Sequence, residues 1–421
     1  MKFKAQDKQN QLIENITVHH LVIGVDIAQE VHVARAVSFR GIALGTPLKF
    51  GNHREGFDLF ERWIQDLLKS YKLSSVIVGL EPTGHYWFSL ARWLLDQGIE
   101  PVLVNPHLVK KNKENRDNTP SKSDHKDALV IADTVKNGYY SPVRFHTEDY
   151  EELRILMANR ETVTKRLNAA VNQIHRWVDI VFPELRQVFK ILTCTSAIAT
   201  LRLFPLPKEI RLLNTEQVLS GWKQYVKRHA GVKRAELLIS LAKSSVGATQ
   251  ALHAYKLHLG QLLEEYDLAQ RQLEQIEHEL RLILERIPYA QKLLEIRGIY
   301  VTNLAGVLGE AGDLSGYTHG NALLRHAGLN LAEASSGKWR GKMVLSKRGR
   351  PRLRHFLYLM TMSMVMTNPE IRAAHRYNVE EKKLKKMKSI MKLIGKVARM
   401  LVALAKSSTV YEPIKVFPQA A

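Results

Sequence analysis

Three stretches decide the fold of the N-terminal part of the chain: LVIGVDIA (21–28), SSVIVGLEPTG (74–84) and SDHKDALVIADTVKNG (123–138). The first two are short apolar runs of the kind that form buried strands, and they lead into the acids Asp26 and Glu81. The third has apolar residues at helical spacing and begins with further acids. Strands and a helix with acids at their ends predict an α/β domain with a charged edge.

Four more segments complete the alternation of strands and helices. In chain order they have the patterns of a strand, a helix, a helix and a strand: VHVARAVSF (31–39), HREGFDLFERWIQDLLKSY (53–71), HYWFSLARWLLDQG (85–98) and IEPVLVNP (99–106). This order, with the acids where they stand, matches the RNase H-like nuclease fold. We therefore expect such a domain over residues 19–148, preceded by a polar lead-in over residues 1–18.

Helical periodicity dominates the middle of the chain, residues 149–292. Its strongest signal is a set of residues that alternate steps of three and four: Leu259, Leu262, Tyr266, Ala269, Leu273, Ile276, Leu280, Ile283 and Ile287. Heptads without a slip predict a coiled coil or a long helical hairpin, and Pro288 ends the pattern. Residues 188–250 form a mixed, basic insertion whose secondary structure the pattern does not predict.

A glycine-punctuated, basic and mainly α region is expected over residues 293–410, followed by a tail over residues 411–421. Its first segment, EIRGIYVTNLAGVLGEAGDL (295–314), has the pattern of one helix-hairpin-helix unit, which would offer backbone amides to phosphates. Tyr300 replaces the usual second glycine. A plain helical hairpin therefore fits this segment equally well.

The charge of the 421-residue chain narrows the choice of partner. Lys and Arg total 62 against 41 Asp and Glu, a formal net charge of +21 that suits a polyanion. No apolar run reaches the roughly 18 residues that span a bilayer, so nucleic acid is favoured over a membrane. The single cysteine, Cys194, excludes intrachain disulfides and a cysteine-based zinc site. A cytoplasmic location is the default expectation.

Four acids from three segments carry the candidate metal chemistry: Asp26, Glu81, Asp124 and Asp127. The last two are one helical turn apart and share a face. Carboxylates held close together repel one another unless a cation neutralises them, and oxygen ligands select hard ions such as Mg²⁺ or Mn²⁺. We expect two ions, which would activate a nucleophile and stabilise a leaving oxygen in phosphoryl transfer. Taken singly, each acid also fits a turn, a strand end or a favourable helix dipole.

A second candidate site has serines followed by a dense run of cations. Ser335 and Ser336 precede Gly337, and a serine hydroxyl beside cations can attack a phosphodiester. Phosphate contacts are expected from eight basic residues: Lys338, Arg340, Lys342, Lys347, Arg348, Arg350, Arg352 and Arg354. By spacing alone, Ser-Ser-Gly also fits an ordinary loop, and Ser346 a helix cap or a phosphate contact.

Together these motifs resemble the insertion sequence 110 family of DEDD transposases. The resemblance is carried, in the family's order, by GVDIA, GLEPTGHYW, VNP followed by KSDHKDA, and GLNLAEASSGKWRGKMVLSKRGRPRLR. It covers residues 21–140 and 293–365, roughly half of the chain. The family often has a proline where this chain has Leu331 and a glycine where it has Lys338, so we expect the local loop geometry to differ.

The resemblance implies a RuvC-like nuclease domain, a coiled-coil arm and a C-terminal transposase domain with an essential serine. The family's acids correspond to the four acids named above, and its serine to Ser335 or Ser336, with a preference for Ser336 because it directly precedes Gly337. It also implies a recombinase that cuts and rejoins donor and target DNA, guided by a structured non-coding RNA. The heptads favour a homo-oligomer, a dimer or tetramer joined through the heptad helix.

Two other functions fit the same residues. A junction-resolving endonuclease would use metal-activated water and no serine. A catalytically inactive protein that only binds DNA or RNA would not need the acids, and the presence of all four counts against it.

Overall fold

The computed structural model describes residues 3–82, 84–116, 124–143, 145, 147–226, 231–332, 335, 336, 339, 340, 343–407, 409 and 411–416. The chain divides into two compact units, Met1–Phe145 and His146–Ala421.

The first unit is built around a six-stranded mixed sheet. Its elements are α1 (Phe3–Glu14), β1 (His20–Asp26), β2 (Val31–Ser38), β3 (Ala43–Gly51), α2 (Arg54–Ser70), β4 (Ser75–Leu80), α3 (Trp87–Asp96), β5 (Glu100–Val104), α4 (Pro106–Arg116), α5 (Asp124–Lys136) and β6 (Tyr140–Pro142). The strand order is β3-β2-β1-β4-β5-β6. β1, β4 and β5 are parallel, whereas β2, β3 and β6 are antiparallel to their neighbours. This arrangement agrees with the α/β class expected for the N-terminal part.

Helices cover both faces of this sheet, because the apolar side chains of a strand point alternately to its two sides. On one face, Phe60 of α2 and Leu90 of α3 share a core with Ile23 of β1. On the other, Ile131 of α5 shares a core with Val22 of β1. The central strands are therefore buried on both sides, which explains why their sequences are continuously apolar.

Several elements of this unit differ from expectation. The polar lead-in contains helix α1, which is tied to the region after α5: the Gln9 amide donates to the Asn137 carbonyl at 3.0 Å, and the Tyr140 hydroxyl donates to the Leu12 carbonyl at 3.1 Å. Strand β3, strand β6 and helix α4 were also not predicted. β3 is mostly exposed and has little apolar alternation, so its pairing with β2 and not its own pattern specifies it.

The second unit begins with two long helices and five short ones between them: α6 (Glu148–Val181), α7 (Leu185–Val188), α8 (Thr195–Leu203), α9 (Pro207–Ile210), α10 (Thr215–Lys223), α11 (Val232–Lys243) and α12 (Leu252–Arg286). α6 and α12 pack antiparallel, with Arg160 paired to Glu277 at 2.9 Å and the Trp177 indole donating to the Tyr255 carbonyl at 2.8 Å. The heptad residues up to Ile283 belong to α12, and Ile287 is its C-cap. They pack in the same cores as residues of α6. The long helical hairpin allowed by the heptads is thus present within one chain, and a coiled-coil arm stays a prediction.

The basic insertion of residues 188–250 is helical in its described part. Its short helices pack with one end of the long hairpin around Trp222, Phe189 and Leu238. Helices of this length are marginal in isolation, so tertiary packing stabilises them. This explains why the local pattern did not predict them.

The rest of the second unit contains α13 (Ala290–Leu294), α14 (Val301–Ala311), α15 (Gly320–His326), β7 (Leu331–Ala332), β8 (Ser335–Ser336), β9 (Trp339–Arg340), β10 (Val344–Leu345), α16 (Pro351–Thr367), α17 (Pro369–Glu380), α18 (Lys386–Lys406) and α19 (Pro413–Val416). Leu153 of α6, Leu284 of α12, Leu304, Leu357 and Leu401 all belong to one core. Residues before and after position 292 therefore share a hydrophobic core, and the domain boundary between residues 292 and 293 stays a prediction.

The segment 295–314 contains the turn after α13 and the helix α14, and the choice between a helix-hairpin-helix unit and a plain helical hairpin stays open. Gly298, in the turn between α13 and α14, has φ +97, and a Cβ there would lie 2.6 Å from the Cα of Met364 in α16. The turn is therefore packed against a helix of its own unit, which disfavours a phosphate contact at this glycine. Within the described residues, no helix combines the length and the apolarity needed to cross a bilayer.

Candidate active site

Two of the four acids lie side by side at the carboxyl edge of the parallel strands. Asp26 is the last residue of β1, and Glu81 directly follows β4. The strands pair with Val25 opposite Leu80, so Asp26 and Glu81 are the next positions in register. Neighbouring strands are about 4.8 Å apart, which brings these two backbone positions together.

Both acids are on the sheet face that carries α5. Side chains alternate along a strand, so Asp26 shares a face with Gly24, and Glu81 shares a face with Gly79. A Cβ on Gly24 would lie 2.1 Å from the Ala128 carbonyl oxygen, and one on Gly79 would lie 2.4 Å from a methyl carbon of α5. The two glycines thus let the backbone of α5 approach the sheet closely.

The direction of α5 places its first turn at the same edge. Near its start, Ala128 lies against Gly24, close to the carboxyl end of β1. At its end, Lys136 lies against Gly41 in the turn after β2. Because β2 is antiparallel to β1, that turn is at the opposite edge of the sheet. α5 therefore runs antiparallel to β1 and begins where β1 ends.

Asp124 and Asp127 lie in that first turn. Asp124 is about one helical turn before Ala128, and Asp127 is about one helical turn before Ile131. Because Ala128 and Ile131 are buried against the sheet, the two acids lie on the sheet-facing side of α5. The Oδ1 atom of Asp127 is shielded from solvent, whereas Asp124 is exposed. The fold brings the four acids to one edge, and their role as metal ligands stays a prediction.

The chemistry of these donors fits a divalent cation. Carboxylate oxygens are the ligands that Mg²⁺ and Mn²⁺ prefer. Within the described residues, however, no group of three or more His, Cys, Asp or Glu side chains is arranged closely enough to hold a metal ion. The four side chains would therefore have to close around an ion. Residues 117–123, which lead into α5, lie outside the described residues.

Polar contacts that the motifs did not predict join the loops at this edge. The Asn52 amide donates to the Gln29 carbonyl at 3.2 Å, and the backbone N–H of Ala28 donates to His32 Nδ1 at 3.3 Å. The Tyr86 hydroxyl lies 3.5 Å from Gln29 Oε1 and so connects the loop after β4 to the loop after β1. The partners of Gln29 are distant in sequence, so no local motif predicts these two contacts.

His32 is a buried titratable group next to this edge. It is fully buried on β2, and its ring lies 5.2 Å from that of Phe50 and 6.5 Å from that of Phe57 between centroids. Burial lowers the pKa of this imidazole, although a hydrogen bond with Asn52 opposes the shift. The ring is therefore held in its neutral form in the folded protein near neutral pH.

The two candidate serines are part of a narrow antiparallel ribbon. Ser336 in β8 is opposite Trp339 in β9, and farther along Leu331 in β7 is opposite Leu345 in β10. We call the described strands β7 to β10 the serine ribbon. Residues 337 and 338, as well as the side chains of both serines, lie outside the described part, so the choice between Ser335 and Ser336 stays open.

Backbone hydrogen bonds hold the base of the serine ribbon. The Ser346 N–H donates to the Asn330 carbonyl and the Lys347 N–H donates to the Gly328 carbonyl, both at 2.9 Å. Ser346 Oγ accepts the N–H of Arg348 at 3.2 Å, a local turn rather than a helix cap. The ribbon therefore emerges from a fixed base between α15 and α16.

Three of the eight expected phosphate-binding cations make contacts within the chain. Arg350 Nη1 donates to the Glu310 carbonyl at 2.9 Å, and Arg354 Nη1 donates to the Ala327 carbonyl at 2.8 Å. Arg352 lies 3.4 Å from Glu310 Oε1. A second acid, also 3.4 Å away, comes from α6. Because these acids are distant in sequence, the run of basic residues did not predict their contacts with Arg352.

Two of the other five cations differ from those three. Lys347 and Arg348 are exposed, and neither has an ion pair with a described residue. Lys338, Lys342 and the side chain of Arg340 lie outside the described residues. Phosphate binding by these five residues stays a prediction.

Two family models match the chain. A DEDD transposase model of the IS110 type matches residues 23–183, and a model of the transposase IS116/IS110/IS902 family matches residues 290–376. The first match contains all four acids and is consistent with a DEDD nuclease fold for the mixed sheet. The second contains both serines and the eight cations.

Curated relatives are more distant. Pilin gene-inverting proteins of Moraxella lacunata and Moraxella bovis are each 24% identical over 193 residues, which are 41% of this chain and 56% of theirs. An uncharacterised protein of insertion element IS116 from Streptomyces clavuligerus is 22% identical over 353 residues, which are 82% of this chain and 84% of that protein. The chain thus spans little more than half the length of the pilin gene-inverting proteins.

Proposed function

The chain belongs to the insertion sequence 110 family of transposases, and from this premise we propose that it cuts and rejoins DNA with four carboxylates and a serine. One observation carries the proposal: Asp26 and Glu81 are neighbours in register at one edge of the sheet, and the first turn of α5 brings Asp124 and Asp127 to that edge.

The acids hold the cations in this proposal. Asp26 and Glu81 extend from strands that are buried on both faces, so their backbone positions are fixed before any ligand binds. Asp124 and Asp127 complete the donor set from the helix. When bound, two Mg²⁺ or Mn²⁺ ions would polarise the target phosphate and stabilise the leaving oxygen.

Ser335 or Ser336 is the proposed nucleophile. Its Oγ forms a bond to the DNA phosphorus while the bond from phosphorus to one sugar oxygen breaks. That sugar leaves as a free hydroxyl after taking up the proton that the serine releases. The phosphoserine link retains a phosphodiester, so a second DNA hydroxyl can displace the serine and restore the strand. Lys347 and Arg348, at the base of the serine ribbon, supply positive charge to the phosphate.

The names of two relatives favour rearrangement over degradation. A pilin gene-inverting protein inverts a gene, and inversion needs the cut ends to be rejoined. We extend this outcome to the present chain, with donor and target DNA as its substrates.

A structured guide RNA is the proposed second partner. The net charge of +21 supports polyanionic partners, and the family resemblance implies a bridging RNA. RNA that co-purifies with the full chain tests this step by sequencing. One defined RNA from the flank of the element supports it, and the absence of enriched RNA contradicts it.

Strand exchange needs several active sites, so we also propose a dimer or tetramer. The heptad helix offers little surface for it, because Ile276 is 5% exposed and Leu280 is fully buried in the intrachain hairpin. Assembly would therefore use another surface. Light scattering with and without DNA tests this, and a monomer in both states contradicts it.

A junction-resolving endonuclease is the second candidate function. All four acids belong to the first unit, whereas both serines belong to the second. The first unit thus contains every acid that a metal-activated water would need, without the serine.

Trapping a covalent protein–DNA adduct on a denaturing gel separates the two functions. The full chain is mixed with Mg²⁺ and labelled DNA from the ends of the element. We expect an adduct with the wild-type chain and none with the double variant Ser335→Ala and Ser336→Ala. Asp26→Asn should reduce strand cleavage about 100-fold or more, because it removes a proposed metal ligand. Ser220→Ala and Asp66→Asn, both exposed and away from these residues in sequence, are the matched controls.

Free cut ends at wild-type rate from the double serine variant would contradict the serine mechanism and support the hydrolytic nuclease. Full activity of Asp26→Asn would contradict both functions.

A further inference from the structure

A cluster of lysines at the turn between α17 and α18 is not used by the proposed active site. Its members, which we call the lysine ridge, are Lys382, Lys383, Lys385, Lys386, Lys388 and Lys392. All six are exposed. The ridge follows the last residue matched by the transposase family models, residue 376, so it is a feature of this chain beyond the matched regions.

The ridge is part of a packed helical hairpin. The Leu384 N–H donates to the Asn378 carbonyl at 2.9 Å, which fixes the turn after α17. His375 Nδ1 and Ser389 Oγ are 2.9 Å apart and connect the two helices. In the same helix, Leu393 is buried in the core of the second unit. The backbone that carries the lysines is therefore well defined.

Three of these lysines, at the N-cap and in the first two turns of α18, line one side of the helix. Lys385, Lys388 and Lys392 follow one another at spacings of three and four residues, so they share a face. The helix rises about 10 Å over this distance. Phosphates of one DNA strand follow one another every ~3.4 Å along the axis, so this face extends along about three of them.

Lys383 has an unusual backbone conformation for its residue type. Its φ is +51, in the left-handed region that glycine adopts without strain. A lysine here adds charge at the tip of the turn and leaves the backbone strained. Strained positions of this kind are often found at functional sites.

The positive charges of the ridge are poorly compensated. Within the described residues, no carboxylate forms an ion pair with any of the six lysines, although Glu380 and Glu381 are nearby in sequence. Burial lowers the pKa of the neighbouring Lys396, and the charges of Lys392, Arg399 and Lys382 lower it further. A bound polyanion would relieve this repulsion.

We propose that the lysine ridge binds the phosphate backbone of duplex DNA, without reading bases. The ridge is exposed and made of ammonium groups, which suits backbone contacts. The Lys382 ammonium lies 5.0 Å from the centroid of the nearby Tyr377 ring, so it occupies one of the two faces on which an unpaired RNA base would stack. The proposal depends on the proposed function only for DNA as the substrate.

Salt dependence of binding tests the proposal. The full chain, without metal ion, is titrated with a short random-sequence duplex at several salt concentrations. The test variant changes five lysines to glutamine: Lys382, Lys383, Lys385, Lys386 and Lys388. The matched control changes five other exposed lysines to glutamine: Lys69, Lys190, Lys208, Lys223 and Lys243. Each phosphate contact that is lost should reduce the slope of log K against log salt by about 0.9, and we expect the test variant to bind about tenfold more weakly near physiological salt.

A wild-type slope in the test variant, or an equal loss in the control, would overturn the proposal. So would a loss confined to a hairpin RNA, or one confined to vesicles of phosphatidylcholine and phosphatidylserine, because the ridge would then serve a different partner. Binding is measured without strand cleavage. A failure here therefore leaves the covalent-adduct test of the proposed function unaffected.

A pair of single substitutions separates charge from folding. Lys383→Gly removes one charge and relieves the left-handed backbone, so it should maintain or raise the denaturation midpoint while lowering the salt slope by about 0.9. Lys72 has the same φ of +51 in the first unit. Lys72→Gly should act similarly on the midpoint and leave the slope unchanged. Equal slopes for Lys383→Gly and the wild type would contradict a phosphate contact at Lys383.

Discussion

The edge that carries the acids and the serine ribbon are supported in opposite ways. Val25 and Leu80, which precede Asp26 and Glu81, are fully buried between two layers of helices. In the serine ribbon, Leu331 is 60% exposed and Val344 is 57% exposed. The acids thus depend on a packed core, whereas the ribbon depends on strand pairing and on the hydrogen bonds at its base.

The difference corresponds to the chemistry proposed for each region. Metal ligands must keep their relative positions to within a fraction of an ångström, which favours strands and a helix buried in a core. A nucleophile that becomes covalently joined to DNA must reach its substrate, which favours an exposed element. Substitutions should therefore affect the two regions differently, through stability at the acids and through binding or chemistry at the ribbon.

The largest effect is expected for Gly24→Ala, which tests how far the edge that carries the acids depends on core packing. The new Cβ would lie 2.1 Å from the Ala128 carbonyl oxygen, a backbone atom that cannot move alone. We expect a loss of about 1–3 kcal/mol in the free energy of unfolding of the first unit, together with loss of strand cleavage. Denaturant titration followed by circular dichroism measures it.

Gly260 provides the matched control for that substitution. It lies in helix α12, and no atom is within 4 Å of an added Cβ. Gly260→Ala should raise the free energy of unfolding by about 0.5–1 kcal/mol, because alanine favours a helix more than glycine does. If Gly24→Ala proves as stable as Gly260→Ala, α5 does not approach β1 in the way described.

A smaller effect is expected at the base of the serine ribbon. Arg354→Ala removes the hydrogen bond from Nη1 to the Ala327 carbonyl and should lower the free energy of unfolding by about 1 kcal/mol. Arg348→Ala should change it by less than about 0.5 kcal/mol, because the exposed side chain has no ion pair with a described residue. Instead, it should reduce the salt slope of DNA binding by about 1. A loss of stability in Arg348→Ala together with a reduced salt slope in Arg354→Ala would contradict these two roles.

The smallest effect concerns pH and the buried His32. Burial lowers the pKa of its imidazole in the folded protein from the ordinary value of 6.5. As pH falls through that range, the unfolded chain binds a proton before the folded protein does, so stability decreases toward acid pH. His32→Gln should make the decrease between about pH 7.5 and about pH 5.5 shallower. An exposed control, His278→Gln, should retain the wild-type profile, and equal profiles for both variants would exclude His32 as a contributor.

The acids could be located from the sequence because their positions follow local patterns. An apolar run that ends in Asp26 or Glu81 is a strand followed by an acid, whatever the rest of the chain does. The roles of the cations could not be found in that way. Arg352 binds acids on α6 and α14 that are far from it in sequence, so the run of cations looked uniform although its members differ.

The heptads likewise did not predict which helix packs against α12. The steps of three and four residues in α12 identified a long helix with one apolar face. They did not identify the partner, because a helix from the same chain and a helix from a second copy satisfy such a face equally well. Only the tertiary contacts with α6 place that face inside one chain.

The sequence by itself determined the α/β start of the chain, its helical remainder, its basic charge and the four acids as candidates, since each depends on periodicity or composition within a short segment. The tertiary structure decided which acids share an edge, which arginines stabilise the base of the serine ribbon, and which residues before and after position 292 share a core. These features depend on contacts between residues that are distant in sequence, and local patterns do not specify such contacts.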